Sequence, residues 1–411
     1  MLSLFLRRGK MFIESPRYTE RFGAVRINEV QRVVALDSGL RGEIPPDSTI
    51  GVIKIDEDTI KQYEDRMAVV ISVKDEKLKL FEGVISGVPH GCLIIVVSNS
   101  RRGRIDRFRM EKDALAQICR YTVRNALIVH QKDPVIAEAV KQAGYDELLM
   151  EDGLVRDGKS EAMLLGLLIA KTVGKEYIGY VDADNYFPGS VLEYVRNFAA
   201  GFSLARSPYS MVRILWHYKP KIAGGIYFKR WGRVSETTNK CLNDLIFSKT
   251  GFESEVIKTG NAGEHAMSMK LAELLPFASG YAVEPAELVF LFEEFGGILP
   301  EIDHEAVEQG IDVFQIETLN PHMHEEKGVV HLREMLLEGL APIYHSPLCE
   351  DSTKKLILKE LVSQEALSSR AKPPLPRLCA PLRKKDNAKF MEAIGEHLGD
   401  FYALSVSERK G

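Results

Sequence analysis

The chain alternates between short apolar, β-branched runs and longer stretches whose apolar residues recur at helical spacing. Met67-Ala-Val-Val-Ile-Ser-Val73 is apolar at almost every position and predicts a strand buried on both faces. Residues 93–97, 126–129 and 177–181 repeat that pattern. Between the first two runs, Leu78, Phe81, Val84 and Ile85 lie three or four apart, which predicts a helix, and residues 105–121 and 160–173 read the same way. Pro134 and Pro188 stand at helix-start positions. The predicted order is βαβαβα, which implies an α/β fold with a mostly parallel central sheet flanked by helices. Residues 311–318 predict a later strand, residues 327–339 and 384–398 further helices, and the proline-rich stretch 371–382 an extended connector.

Composition narrows the class. Hydrophobic residues are 45% and charged residues 27%, which excludes disordered, collagen-like and coiled-coil chains. Lys plus Arg is 54 against 58 Asp plus Glu, so the net charge of -4 gives no whole-chain attraction to nucleic acid or anionic membrane. No apolar run approaches the ~18–20 residues of a spanning helix. Cys92, Cys119, Cys241, Cys349 and Cys379 are widely spaced and odd in number. They predict buried small hydrophobes in a reducing compartment, and so a cytoplasmic protein. At the N-terminus a short apolar stretch precedes Arg7 and Arg8, the reverse of a signal peptide. Met11 is a second candidate start.

In parallel sheets, ligands bind beyond the carboxyl ends of the strands. Three predicted ends carry polar groups suited to a nucleotide: Lys74-Asp75-Glu76, Ser98-Asn99-Ser100 and Asp182-Ala183-Asp184. No GxGxxG follows the first strand and no GxxxxGK[ST] is present, so the dinucleotide fingerprint and the P-loop are both missing. If strand geometry persists, Asp182 and Asp184 share a face and can hold a hard divalent cation and a ribose hydroxyl. A bare Asp-x-Asp is also a common solvated turn, and it is the preceding buried strand that sharpens the signal. The chemistry served is departure of a nucleoside diphosphate, because a cation offsets the charge left on the phosphates. One unit-charge pair ~3 Å apart at an effective dielectric of ~20 interacts by roughly 5 kcal/mol.

Other candidates follow the same logic. His322 and His324, in Asn320-Pro-His-Met-His-Glu325, can complete a carboxylate-bound metal sphere. Lys159 opens a predicted helix, where a cation and backbone amides suit a phosphate. Gly232, Arg233, Val234 and Ser235 combine an arginine fork, a hydroxyl and amides suited to a small anionic acceptor. Glu264 and His265 follow a glycine turn and can read hydroxyls.

The motifs Tyr18-Thr-Glu-Arg-Phe-Gly-Ala-Val-Arg26, Ser72-Val-Lys-Asp-Glu76, Val181-Asp-Ala-Asp-Asn-Tyr186, Gly260-Asn-Ala-Gly-Glu-His-Ala266 and Asn320-Pro-His-Met-His-Glu325 together resemble the mannosyl-3-phosphoglycerate synthase family. The resemblance runs from about residue 13 to 346. It implies a GT-A glycosyltransferase domain over 13–346, with a nucleotide-binding half at 67–200 and an acceptor-binding half at 201–346. Residues 1–12 are then an N-terminal extension, and 347–411 a small helical appendage suited to closing over the domain or pairing in a homodimer. The implied activity is retaining transfer of mannose from GDP-mannose to 3-phosphoglycerate, a step towards the compatible solute mannosylglycerate. The implied cofactor is Mg²⁺, with Mn²⁺ or Co²⁺ as substitutes. The resemblance gives Asp184 and His324 as metal ligands, and Ser72, Val73, Lys74, Glu76, Asn99, Lys159, Asp182 and Ala183 as donor-binding. Gly232, Arg233, Val234, Ser235 and His265 would bind the acceptor, and Asp184, Glu264 and Lys159 would act in catalysis. Ser235 stands where the related glucosyl-3-phosphoglycerate synthases usually carry threonine, and the hydroxyl is kept. Those glucosyl enzymes are one alternative. A sugar-1-phosphate nucleotidyltransferase is another, but Lys74-Asp-Glu-Lys-Leu-Lys replaces its glycine-rich loop. A non-catalytic nucleotide-sugar sensor is a third.

Overall fold

The computed structural model describes residues 9–37, 51–185, 187–217, 219–222, 226–229, 232–300, 303–323 and 328–403. The predicted alternation is present. Met67–Val73, Leu93–Ser98 and Ala126–His130 are parallel neighbours, and Tyr177–Asp182 joins the other side of Met67–Val73, also in parallel. Every residue of Ala126–His130 is buried, and all but the first residue of Leu93–Ser98, as two-faced coverage requires. Helices Leu78–Gly87, Arg107–Thr122, Pro134–Gln142, Lys159–Thr172 and Pro188–Leu204 connect these strands and continue beyond them. Local chemistry fixes their ends. The Asp106 carboxylate accepts from Arg109 N and the Asp133 carboxylate from Val135 N, and Pro134 opens its helix.

Beyond Tyr177–Asp182 the sheet becomes mixed, where more parallel pairing was expected. His265–Ser268 lies antiparallel between Tyr177–Asp182 and Ser210–Leu215. Ile311–Glu317 then pairs in parallel with Ser210–Leu215. The far edge is antiparallel, made by Gln31–Ala35, Lys10–Glu14 and Val52–Asp56. His265–Ser268 is four residues long and directly follows the glycine turn at Gly263.

The proposed extension boundary at residue 12 falls inside the strand Lys10–Glu14, where Met11 and Ile13 have no exposure. The C-terminal segment is woven into the body of the molecule. Leu378–Cys379 pairs with Phe277–Ala278, and Phe390, Ile394 and Phe401 join the same apolar cluster as Ile136 and Leu165. All five cysteines are buried, and no disulfide joins them. Among the described residues no helix is long and apolar enough to cross a membrane.

Candidate active site

The carboxyl ends of the four parallel strands align. Ser72 is in register with Asp182 and with Val97, and Val73 with Ser98. Sheet register therefore brings Ser72, Val73, Lys74, Asn99 and Asp182 to one edge. Glu111, buried on the following helix, braces this edge by accepting from the Ser98 and Ser100 hydroxyls at 2.6 Å each. Burial raises its pKa against those two hydrogen bonds. Asp75 adopts a left-handed φ of 56°, held where Asp75 N donates to Ser100 Oγ at 2.7 Å and its carboxylate accepts from Arg101 N at 3.0 Å. That turn leaves Lys74 exposed and Glu76 half-buried, with Arg107 donating to the Glu76 carbonyl. Asn99 Nδ2 donates to Asp157 Oδ1 at 2.9 Å, and Lys132 Nζ lies 3.3 Å from the same oxygen.

The fourth strand ends at Asp182, and Ala183 and Asp184 lie in the turn beyond it, so the same-face alternation does not extend to Asp184. Asp182 is half-buried, whereas Asp184 is only 8% exposed. Lys159, the first residue of its helix, reaches this turn with Nζ 2.6 Å from Asp182 Oδ1 and 3.2 Å from Glu284 Oε1. Burial disfavours its charge, but Asp182, Glu284 and Glu264 together more than offset that and raise its pKa, so Lys159 stays an ammonium. Glu264 has no exposure. Burial pushes its carboxyl up to about 8, the Asp182 charge adds to this, and Asn185 and Lys159 oppose it. Its Oε1 accepts from Asn185 Nδ2 at 3.1 Å, while Oε2 is buried with no hydrogen-bond partner. A side chain at Gly263 would place Cβ 2.9 Å from Asp182 Oδ2 and 3.3 Å from Lys159 Nζ, so only glycine lets this turn pass so close to both.

The acceptor candidates separate. Gly232–Ser235 is the start of the helix Arg233–Thr250, not a loop, with extended backbone at Gly232 and half-buried Gly232, Val234 and Ser235. His265 corrects the expectation. Its ring has no exposure, with Nδ1 2.9 Å from Ala262 O and Nε2 2.9 Å from Glu287 Oε1. These bonds hold the His265 ring in the core, whereas Glu264, in the turn before the strand, meets Asn185. His324 lies outside the described residues. His322 is buried, stacked on Trp216 at 4.3 Å between ring centroids, with Nδ1 3.3 Å from Tyr194 OH. Among the described residues no group of three His, Cys, Asp or Glu side chains forms a metal cluster.

Sequence reasoning missed a layer of residues behind these. Glu284 contacts Lys159, Asn185 bonds Glu264, and Glu193, with no exposure, accepts from the amides of Leu319 and Asn320. The buried charges carried a signal. Glu284 and Glu287, three apart, share one face of a largely apolar helix, and Arg213 stands alone in the apolar run Ser-Met-Val-Arg-Ile-Leu. A charged residue in such a run calls for a buried partner.

The sequence family model for mannosyl-3-phosphoglycerate synthase (osmo_MPGsynth) matches residues 15–394. A mannosyl-3-phosphoglycerate synthase of Pyrococcus furiosus is 47% identical over 386 residues, covering 93% of this chain and 97% of the relative. One from Aeropyrum pernix is 37% identical over 393 residues, covering 95% and 99%. Among solved structures, the glucosyl-3-phosphoglycerate synthase of Mycobacterium tuberculosis in complex with Mn²⁺, UDP and glucosyl-3-phosphoglycerate is 19% identical, with a TM-score of 0.46 over 71% of this chain and 85% of the other. With a family match spanning most of its length and two relatives aligned nearly end to end, the chain belongs to the mannosyl-3-phosphoglycerate synthase family.

Proposed function

We propose that the chain transfers the mannosyl group of GDP-mannose to the C2 hydroxyl of D-3-phosphoglycerate, with retention at the anomeric carbon, in a GT-A-type site. The observation that carries this reading is the family match over residues 15–394, with identities of 47% and 37% to two synthases of that name. The geometry supports it. Polar strand ends suited to a nucleoside diphosphate lie beside an acidic turn suited to the bond that breaks.

In this reading Ser72, Val73, Lys74, Glu76 and Asn99 face the guanosine, and Asp182 and Ala183 lie against the ribose and diphosphate. The cluster fits a hard cation, because the carboxyl groups of Asp182, Asp184 and Glu284 outnumber the one ammonium of Lys159, and Glu264 Oε2 is buried beside them without a hydrogen-bond partner. Asp184 would hold the ion, together with His324. Mg²⁺ is the expected metal, and the M. tuberculosis glucosyl enzyme is described with Mn²⁺. A bound divalent cation supplies Lewis-acid stabilisation of the departing diphosphate.

The chain's own groups supply the rest. Lys159 gives a permanent positive charge beside the leaving group. Glu264, raised to about 8, is protonated near neutral pH and can donate to a sugar hydroxyl. The amides opening the helix Arg233–Thr250, with Ser235 and Arg233, suit the anionic groups of the acceptor. The bond from the anomeric carbon to the diphosphate oxygen breaks as the bond to the acceptor oxygen forms on the same face. The acceptor's proton passes to the diphosphate oxygen. Glu264 is the nearest alternative nucleophile, and a trapped mannosyl-enzyme would replace the front-face route.

A donor-by-acceptor panel with and without EDTA tests the reading. GDP-mannose plus 3-phosphoglycerate should give mannosyl-3-phosphoglycerate and GDP, with loss of activity on chelation. Preference for GDP-glucose or UDP-glucose would move the chain to the glucosyl reaction. Pyrophosphate from GTP plus mannose-1-phosphate would make it a nucleotidyltransferase.

A further inference from the structure

Among the described residues Arg213 is the bulkiest side chain without solvent exposure, and it lies one layer behind the candidate site. It projects from the strand Ser210–Leu215, and its planar fork reaches two separate segments, a turn and a helix. Nε donates to Thr259 O at 3.0 Å, Nη1 to Glu287 Oε2 at 2.7 Å, and Nη2 to Glu284 O at 2.8 Å and Gly260 O at 3.4 Å. Thr259 and Gly260 open the turn that delivers Gly263 and Glu264. Glu284 has its backbone carbonyl held by Arg213 while its carboxylate holds Lys159, which in turn contacts Asp182. The second oxygen of Glu287 lies 2.9 Å from His265, the residue next to Glu264.

A buried ion pair adds little net stability over an apolar pair of like volume. The distinctive contribution of this fork is therefore register, since one rigid plane ties two backbone carbonyls of a turn to the first turn of a helix. Lysine has the charge but a single nitrogen, and cannot span those partners.

We propose that Arg213 is a positioning residue for the transfer, fixing the turn that bears Glu264 and the helix that bears Glu284 in one register so that Glu264, Lys159 and Asp182 converge on the sugar–diphosphate bond. This rests on the transfer reading for the reaction involved, and on the hydrogen bonds above for the role.

The test compares Arg213→Lys and Glu287→Gln with the unaltered full chain. GDP binding with Mg²⁺ is measured by titration calorimetry to count folded sites, and kcat and KM for GDP-mannose and 3-phosphoglycerate are normalised to that count. The strand ends taken to bind the guanosine lie away from Arg213, so GDP stoichiometry should be undiminished. A displacement of about 1 Å in the reacting groups costs on the order of 100-fold, and the loss should fall on kcat per GDP-binding site. A residue that only supports folding would lower the number of GDP-binding sites and leave kcat per site unchanged, which overturns the proposal. If Arg213→Lys does not fold, Glu287→Gln is read in the same way, and failure of both to bind GDP assigns the network to stability alone. An unaltered chain that binds GDP but transfers no mannose contradicts the transfer reading and leaves the positioning role to be read on the reaction it does catalyse.

Discussion

The polar strand ends proposed to face the nucleotide and the acidic turn are neighbours on one sheet edge, yet they are built in opposite ways. Lys74, Asn99 and Asp157 are half-buried or exposed, and their partners are polar side chains and backbone groups at the surface. Glu264 and Glu284, with Asp184, are buried around a single ammonium. Water screens the first group, so each of its contacts is worth little and is read as affinity. The second group lies where screening is weak and pKa values move, which suits charge that develops during a reaction. The difference teaches where substitutions should act on binding and where on the chemical step.

The largest expected effect lies in the buried cluster. Asp184→Ala should lower kcat on the order of 1,000-fold with an unchanged melting temperature in the metal-free state. Normal turnover would remove the metal assignment and break the comparison. Lys159→Ala should cost about 100-fold in kcat. It should also leave Asp182 and Glu284 without their shared cation, so a lower melting temperature is expected beside the kinetic loss. In the screened region Asn99→Ala should raise KM for GDP-mannose by at most about tenfold at nearly constant kcat, since a typical hydrogen bond contributes about 0.5–1.5 kcal/mol. A kcat loss there instead would erase the distinction between the two regions.

His265→Ala sharpens the boundary of the acceptor site. It should destabilise the fold by about 1–3 kcal/mol by leaving Glu287 short of a partner, with KM for 3-phosphoglycerate changed less than about twofold. A large rise in that KM alone would restore His265 to the acceptor. A further expected effect is a pH dependence of stability. Glu264 is raised from 4.5 to about 8, so the stability it contributes is fully present below about 4.5 and is lost as pH rises through about 8. Melting temperatures in EDTA should decline over that window, and excess Mg²⁺ should flatten the decline. A metal-independent profile would place the ion elsewhere.

The parallel half of the sheet was legible because its strands are buried on both faces and read as unbroken apolar runs. The strand Lys10–Glu14 and the inserted strand His265–Ser268 were not, being short and defined by pairing with distant segments. Asp182, Asp184, Lys159 and Glu264 could be singled out because strand ends and glycine turns mark their positions. His265 misled for the same reason. Adjacency to Glu264 in sequence suggests a shared site, but the chain turns between the two, and His265 meets Ala262 O and Glu287 while Glu264 meets Asn185. Arg213, Glu284 and Glu287 act through partners 46 to 74 positions away from Arg213 or across the sheet, and only folding brings them together.

The most direct test is a crystal structure with GDP-mannose and Mg²⁺. The ion should touch Asp184, with the diphosphate beside Lys159 and the guanosine against Ser72–Glu76 and Asn99. A donor seated on another face of the molecule, or a diphosphate remote from Asp184, would contradict the account.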